Sequence, residues 1–227
     1  MIIITGASRG IGRFLLNSFL SKSDEIVIGT YFNTRPNENI NNYFQLNVTD
    51  YTQVQNFVDL YAKELSTITL INCAGITYNS FTHKSDPEKW KNVIDINLIG
   101  SYNIIRALLP IMREQKYGRI INFSSVVAIK PTAGISSYAA SKAALWGLGK
   151  SIAIENAKYN ITINNINLGY SELGMIEMVP AEFKKSIIEQ IPAGILCEPG
   201  DILNTVNYLR TTRYITGSSI DLNGGLV

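Results

Sequence analysis

Seven short runs rich in isoleucine and valine recur along the chain, at residues 2–5, 26–30, 43–46, 68–72, 119–124, 162–167 and 219–222. Most are apolar throughout rather than alternating. That pattern suits strands covered on both faces. Helix-length stretches lie between them, with apolar residues three and four apart. Phe14, Leu15, Phe19 and Leu20 form one such set, and Val54, Phe57, Val58 and Tyr61 another. Strands alternating with helices predict an α/β fold, a doubly wound parallel sheet of about seven strands with helices on both faces. Residues 33–42 are polar and contain Pro36, so a full helix after the second strand is not expected there. No internal repeat is seen.

The 227 residues suit one domain, residues 1–227. Hydrophobic residues make up 46% and charged residues 17%, a globular balance. A net charge of +2 without a Lys/Arg run argues against nucleic-acid and membrane-surface partners. Cys73 and Cys197 lack metal-ligand spacing, so no metal is expected and a reduced, intracellular state is. The opening apolar run is too short for a signal peptide or a membrane span, which makes the cytoplasm the default expectation. The segment 170–200 carries Pro180, Pro192 and Pro199, with an amphipathic stretch at 181–190. A small helix between prolines, late in such a fold, reads as a substrate lid.

Two local patterns carry chemistry. The first strand runs into Thr5-Gly6-Ala7-Ser8-Arg9-Gly10-Ile11-Gly12 and then a helix. Glycines allow a tight turn and close approach to a phosphate, and a helix N-terminus offers free N–H groups to it. The spacing is G-x-x-x-G-x-G, and its position between strand and helix points to a dinucleotide site. The second pattern is Tyr138 and Lys142, four residues apart in Ser136-Ser137-Tyr138-Ala139-Ala140-Ser141-Lys142, soon after the strand-ending pair Ser124-Ser125. On a helix both side chains share one face. The ammonium is then expected to draw the phenol, normally near ~10, towards neutrality for proton transfer.

Together with Asn72-Cys73-Ala74-Gly75, Asn97 and the late Asn223-Gly224-Gly225, these motifs resemble the short-chain dehydrogenase/reductase family over essentially the whole chain. Gly75-Ile76-Thr77, Gly118-Arg119-Ile120-Ile121-Asn122 and Ile191-Pro192-Ala193-Gly194 are most similar to its 3-oxoacyl-(acyl-carrier-protein) reductase branch. The resemblance implies a Rossmann-type sheet and an oxidoreductase that reduces a ketone to a secondary alcohol. It implies Tyr138 as general acid, Ser125 (preferred over Ser124) as the donor that positions the carbonyl oxygen, and Lys142 as the tuner of Tyr138 and holder of the nicotinamide ribose. Asn97 would anchor a water that links Lys142 to solvent. Cofactor contacts are implied for Gly6, Ser8, Arg9, Gly10, Ile11, Gly12, Thr30, Asn47, Val48, Asn72, Ala74, Gly75, Tyr138, Lys142 and Gly169. Relatives pair through two long helices, so a homodimer or homotetramer is expected.

A 2′-hydroxyl of NAD(H) needs an acid at the end of the second strand. Gly29-Thr30-Tyr31-Phe32-Asn33 offers none, while Arg9 and Arg35 suit a 2′-phosphate. NADP(H) is therefore favoured over NAD(H). The family's Pro-Gly and a following threonine are replaced by Leu168-Gly169 and Leu173, with Tyr170 or the Ser171 hydroxyl as substitutes. A carrier-bound substrate would call for a basic patch at the mouth, for which Lys116, Arg119 and Lys158 are candidates. A sugar, polyketide or other small ketone remains an alternative substrate, and a non-catalytic cofactor sensor an alternative function. His83 reads as a solvated loop residue, Cys73 as structural, and Trp90 and Trp146 as core or interface aromatics.

Overall fold

Strands buried on both faces need apolar residues at odd and even positions alike, and the sheet is built on that rule. The computed structural model describes residues 1–227 except Ser23, Met175, Glu177 and Met178, and of Ala181 the backbone alone. Seven strands form one parallel sheet: β1 (Ile2–Thr5), β2 (Val27–Tyr31), β3 (Tyr43–Gln45), β4 (Thr69–Asn72), β5 (Gly118–Ser125), β6 (Ile161–Leu168) and β7 (Ser219–Leu222). Their order is β3-β2-β1-β4-β5-β6-β7, the doubly wound arrangement. All seven expected runs are strands, with ends displaced by a residue at most.

Around the sheet lie α1 (Gly10–Lys22), α2 (Tyr51–Leu60), α3 (Pro87–Ile94), α4 (Gly100–Gln115), α5 (Ser136–Asn156), α6 (Ala181–Glu189) and α7 (Pro199–Thr211). Adjacent residues of a strand point to opposite cores. Ile3, Leu70, Ile120 and Ile163 face a core shared with Val54, Phe57 and Val58 of α2, Ile104 and Leu108 of α4, and Ile152 of α5. Ile2, Ile4, Ile71, Ile121 and Ile166 face the other, shared with Leu15, Leu16 and Phe19 of α1 and Ile202, Val206 and Leu209 of α7. Asp50 and Asp86 cap α2 and α3 by accepting backbone N–H groups of their first turns. Between β2 and β3 there is only a three-residue 3₁₀ turn, Ile40–Asn42, as the polar segment led one to expect.

A polar row crosses this sheet, from the carboxyl ends of β1 and β4 through the middle of β5 and β6 to the first residue of β7. Thr5, Asn72, Asn122, Asn165 and Ser219 are paired in register from β1 through β4, β5 and β6 to β7. Asn72 Nδ2 donates to Asn122 Oδ1 at 2.9 Å, Asn122 Nδ2 to Asn165 Oδ1 at 3.1 Å, and Asn165 Nδ2 to Ser219 Oγ at 3.2 Å. Each amide satisfies its neighbour, which is the condition for burying them. Helix α5 crosses the row at Gly149, where an added Cβ would lie 3.2 Å from Asn165 Nδ2.

The segment 170–200 begins and ends at a bridge between Ser171 and Cys197, closed by Cys197 N to Tyr170 O at 2.9 Å and Glu172 N to Cys197 O at 3.1 Å. The expected amphipathic stretch is α6, which starts directly after Pro180. Met175, Glu177 and Met178 of this segment lie outside the described residues.

Candidate active site

The glycine turn joins β1 to α1 as the sequence suggests. Gly6 has φ +65, and a Cβ there would lie 2.6 Å from Ala74 Cα. The turn therefore touches the loop after β4 backbone to backbone. A Cβ on Gly12 would meet Gly6 O at 2.5 Å, so the first turn of α1 closes tightly onto the strand end. Ser8, Gly10 and Ile11 are half-buried along this turn and Arg9 is exposed. Ala7 N donates to Thr30 O at 2.8 Å, which ties the turn to β2, and the Thr30 side chain is buried.

The loop after β4 is held from both ends. Ala74 N donates to Thr5 Oγ1 at 3.2 Å, so the polar row of the sheet reaches into the site. Ile76 is gripped twice by Asn97: its N–H donates to Asn97 Oδ1 at 2.8 Å and its carbonyl accepts from Asn97 Nδ2 at 2.9 Å. Asn97 Nδ2 also donates to Ser141 Oγ at 3.0 Å, and Ser141 to Tyr138 O at 2.8 Å. Both amide hydrogens are thereby used, and only a lone pair of Oδ1 remains to hold a water. Asn97 sits in a π-helical turn, Asp95–Ile99, between α3 and α4. Such turns concentrate at functional sites because the extra residue rotates a side chain inward. Neither the π turn nor the roles of Ser141 and Thr5 were read from sequence. A serine directly before Lys142 was the available signal.

Tyr138 and Lys142 lie on α5, and Ser125 ends β5. Tyr138 is half-buried and Lys142 buried. Burial pushes the phenol up to about 12, while a hydrogen bond with the Ser125 side chain works the other way. Burial brings the ammonium down to about 8. The expectation that Lys142 draws Tyr138 towards neutrality is not met in this structure. The ammonium stands 5.6 Å from the ring centroid and donates instead to Phe123 O at 2.7 Å. It makes no other hydrogen bond among the described residues, so two N–H groups stay available. A Cβ at Gly75 would fall 3.6 Å from Lys142 Nζ and 3.3 Å from Asn97 Oδ1. Glycine thus keeps open a space that both polar atoms face.

Ser124 and Ser125 are separated by their partners. Ser124 Oγ is committed to Lys142 O at 2.9 Å, whereas Ser125 Oγ faces Tyr138 and accepts Val127 N at 3.4 Å. Asn47 folds its carbonyl onto Thr49, and Val48 packs against Gly100. Gly169 N donates to Leu222 O at 2.9 Å, and a Cβ there would collide with Asn223. Cys73 is half-buried, and burial pushes its thiol up to about 12, which suits an inert thiol. His83 is exposed on its loop. Trp90 Nε1 donates to Ser136 Oγ at 3.0 Å, at the head of α5.

Three expectations are corrected. Ser171 is no free substitute for the missing threonine, since its hydroxyl is buried and donates to Leu173 O at 2.9 Å. Arg119 is no surface cation: it is buried and donates to Asn160 O, Gly118 O and Arg210 O. Lys116 and Lys158 are exposed, but they sit beside the amino ends of β5 and β6. Ser125 ends the eight-residue β5. A strand of that length puts them roughly 25 Å from the site, so they do not flank this chain's own mouth. One feature was missed. Glu38 joins Ser8, Arg13, Arg35 and Tyr43 around a cavity of about 170 Å³ beside the glycine turn, and pairs with Arg13 at 3.5 Å.

Known proteins share this arrangement. The short chain dehydrogenase family model matches residues 1–182. The 3-oxoacyl-[acyl-carrier-protein] reductase of Haemophilus influenzae is 35% identical, over 99% of this chain and 96% of its own. The reductase of the same name from Escherichia coli is 33% identical over the same shares. The crystal structure of the 3-oxoacyl-[acyl-carrier protein] reductase from Brucella melitensis superimposes with a TM-score of 0.89 at 30% identity, over 99% of this chain and 90% of that one. With the doubly wound sheet and the Ser125, Tyr138 and Lys142 cluster, these matches show that the chain belongs to the short-chain dehydrogenase family, oxidoreductases that interconvert alcohols and carbonyl compounds.

Proposed function

We propose that this chain is an NADP(H)-dependent reductase that converts a ketone to a secondary alcohol, with a 3-oxoacyl thioester as substrate class. The observation that carries this reading is the convergence of Ser125, Tyr138 and Lys142 at the carboxyl end of β5, next to the glycine turn after β1. Ligands of open α/β sheets bind at that end. The thioester assignment is supported by the names of the relatives.

The residues present fit a dinucleotide. Gly6, Gly10 and Gly12 keep the turn bare of side chains where a pyrophosphate would meet the head of α1. The two available N–H groups of Lys142, facing Gly75, suit the hydroxyls of a ribose. Arg9, exposed and without an ion pair among the described residues, suits a 2′-phosphate; Arg35 lines the adjoining cavity. Glu38 would oppose that phosphate, and its pairing with Arg13 reduces the effect. Bound there, the reduced nicotinamide would supply the hydride.

The chain's own residues manage the proton. A phenol held near 12 is neutral at physiological pH, the form a general acid needs. As the carbonyl oxygen gains charge, the Tyr138 O–H bond breaks and its proton goes to that oxygen, giving the alcohol. Ser125 donates a hydrogen bond to the same oxygen and orients it. Lys142 would stabilise the phenolate left behind and hold the nicotinamide ribose, while the free lone pair of Asn97 Oδ1 would hold a water on the path by which a proton comes back from solvent. Residues 1–227 act as one dinucleotide-binding domain, with 170–200 as the substrate lid. The outer faces of α4 and α5 support self-association. Between them lies a groove of about 580 Å³ lined by Tyr102, Leu109, Leu148 and Ile152, and α5 also leaves Ile154 84% exposed.

The test is loss of reduced-nicotinamide absorbance with acetoacetyl-carrier-protein and acetoacetyl-coenzyme A, with NADPH beside NADH. NADPH-dependent turnover is the expected result. Binding of neither cofactor overturns the reading. Binding of NADPH without turnover of either thioester removes the thioester assignment.

A further inference from the structure

Trp146 lies one helical turn beyond Lys142 on α5, half-buried. Its indole N–H forks to Asn167 Oδ1 at 2.9 Å and Ser124 Oγ at 3.2 Å. Asn167 Nδ2 donates onward to Asp221 Oδ1 at 2.7 Å, and Ser124 Oγ to the Lys142 carbonyl at 2.9 Å. An unbroken chain of hydrogen bonds therefore runs from Asp221 on β7, through Asn167 on β6, Trp146 on α5 and Ser124 on β5, to Lys142. Phe123 O, one residue before Ser124, accepts the Lys142 ammonium. Lys142 is thus held at both its ends by consecutive residues of one strand.

The direction of these bonds matters. A serine hydroxyl both donates and accepts, and rotates to suit its neighbours; an indole N–H can only donate. By occupying a lone pair of Ser124, Trp146 leaves the serine proton to point at the Lys142 carbonyl. That carbonyl is also the i−4 acceptor of Trp146's own backbone N–H within α5. Backbone and side chain of Trp146 therefore converge on one peptide of Lys142, and the ring closes through β5.

We propose that Trp146 is a positioning residue for the reduction: acting through Ser124, it fixes the turn of α5 that carries Tyr138 and Lys142 against the end of β5, with Asp221 anchoring the far end of the chain. This rests on the reductase reading above. Ser124 is the neighbour of Ser125, so the same tie sets the distance between the carbonyl-orienting serine and the proton donor.

The experiment compares Ser124→Ala, Trp146→Phe and the double variant. Ser124→Ala removes one oxygen and stays readable should Trp146→Phe destabilise the fold. With NADPH and acetoacetyl-coenzyme A, kcat is expected to fall about tenfold in each single variant, the scale of one lost hydrogen bond. KM for the thioester should stay within about twofold, and the double variant should be no slower than the slower single one, because both break one chain. A kcat within about twofold of wild type in both single variants overturns the proposal, as do losses that multiply in the double variant. NADPH affinity is read separately by fluorescence titration, and its dissociation constant should rise about fivefold in each variant as Lys142 loses its placement. If the wild-type protein reduces no acetoacetyl-coenzyme A, the reductase assignment fails by itself. The NADPH constants then decide this one, and unchanged constants in both variants sink it.

Discussion

Helices α2 and α5 cover the same face of the sheet, yet they attach to it by opposite means. Helix α2 buries Val54, Phe57 and Val58, and Phe57 packs tilted against Phe44 and Tyr61 at 5.1 and 5.2 Å between ring centroids. Helix α5 buries Ser137, Ser141, Lys142 and Asn156 beside Leu145 and Ile152, and rests Gly149 on the amide of Asn165. Apolar packing is strong but non-directional, so it tolerates small shifts. Hydrogen bonds are weaker in net terms but set angles and distances. Helix α2, which carries none of the proposed reacting groups, uses the first kind of contact. Helix α5, which carries Tyr138 and Lys142, uses the second.

Tyr138→Phe should break the comparison most sharply on the polar side. Turnover with NADPH and a 3-oxoacyl thioester is expected to drop by about 10²–10⁴-fold, the span of general acid catalysis, while NADPH titration stays near wild type. Survival of turnover would refute Tyr138 as the acid.

On the apolar side, Phe57→Ala should cost about 3–5 kcal/mol of stability in urea unfolding, and leave kcat of the folded fraction within about twofold. A large loss of kcat would show that α2 also aligns the site. Asn165→Ala attacks the polar row without touching the reactive groups. It leaves Asn122 Nδ2 without its partner, so roughly 1–3 kcal/mol of stability should be lost. A smaller loss would mean that water replaces the amide.

The smallest effect is a slope. Lys142 is held near 8 in the folded chain, against its ordinary value of 10.5. Between those values the unfolded chain binds the extra proton, so this group makes stability rise with pH. Cys73, raised from 9.0 to about 12, and Tyr138, raised from 10.0 to about 12, act the other way, from pH 9 upwards. Urea midpoints taken between pH 8 and 9 should therefore climb for the wild type and stay flatter for Lys142→Met. Equal slopes would place the Lys142 ammonium in water.

Much of this was open to reading from residues alone. Continuous Ile and Val runs announced strands buried on both faces, and the glycines at 6, 10 and 12 announced a turn whose tight backbone contacts admit no Cβ. Tyr138 and Lys142 share a helix, so their proximity follows from spacing. What spacing did not reveal is what their side chains choose as partners. Lys142 turns to Phe123 O, 19 residues away in sequence, and Arg119 turns inward to Asn160 and Arg210. Ser171, free in a linear reading, is spent on Leu173.

The sequence by itself determined the strand-helix alternation, the glycine turn between β1 and α1 and the placement of Tyr138 and Lys142 on one helix, because each rests on local period or on conformations that few residues adopt. Only the tertiary structure decided the rest. The row from Thr5 to Ser219 joins residues up to 67 positions apart per bond, and Glu38 reaches the rim of the glycine turn from a loop beyond β2. Burial, and the polar partners that burial brings together, set the protonation of Tyr138 and Lys142. Both depend on how the strands are ordered in space, which no single segment encodes.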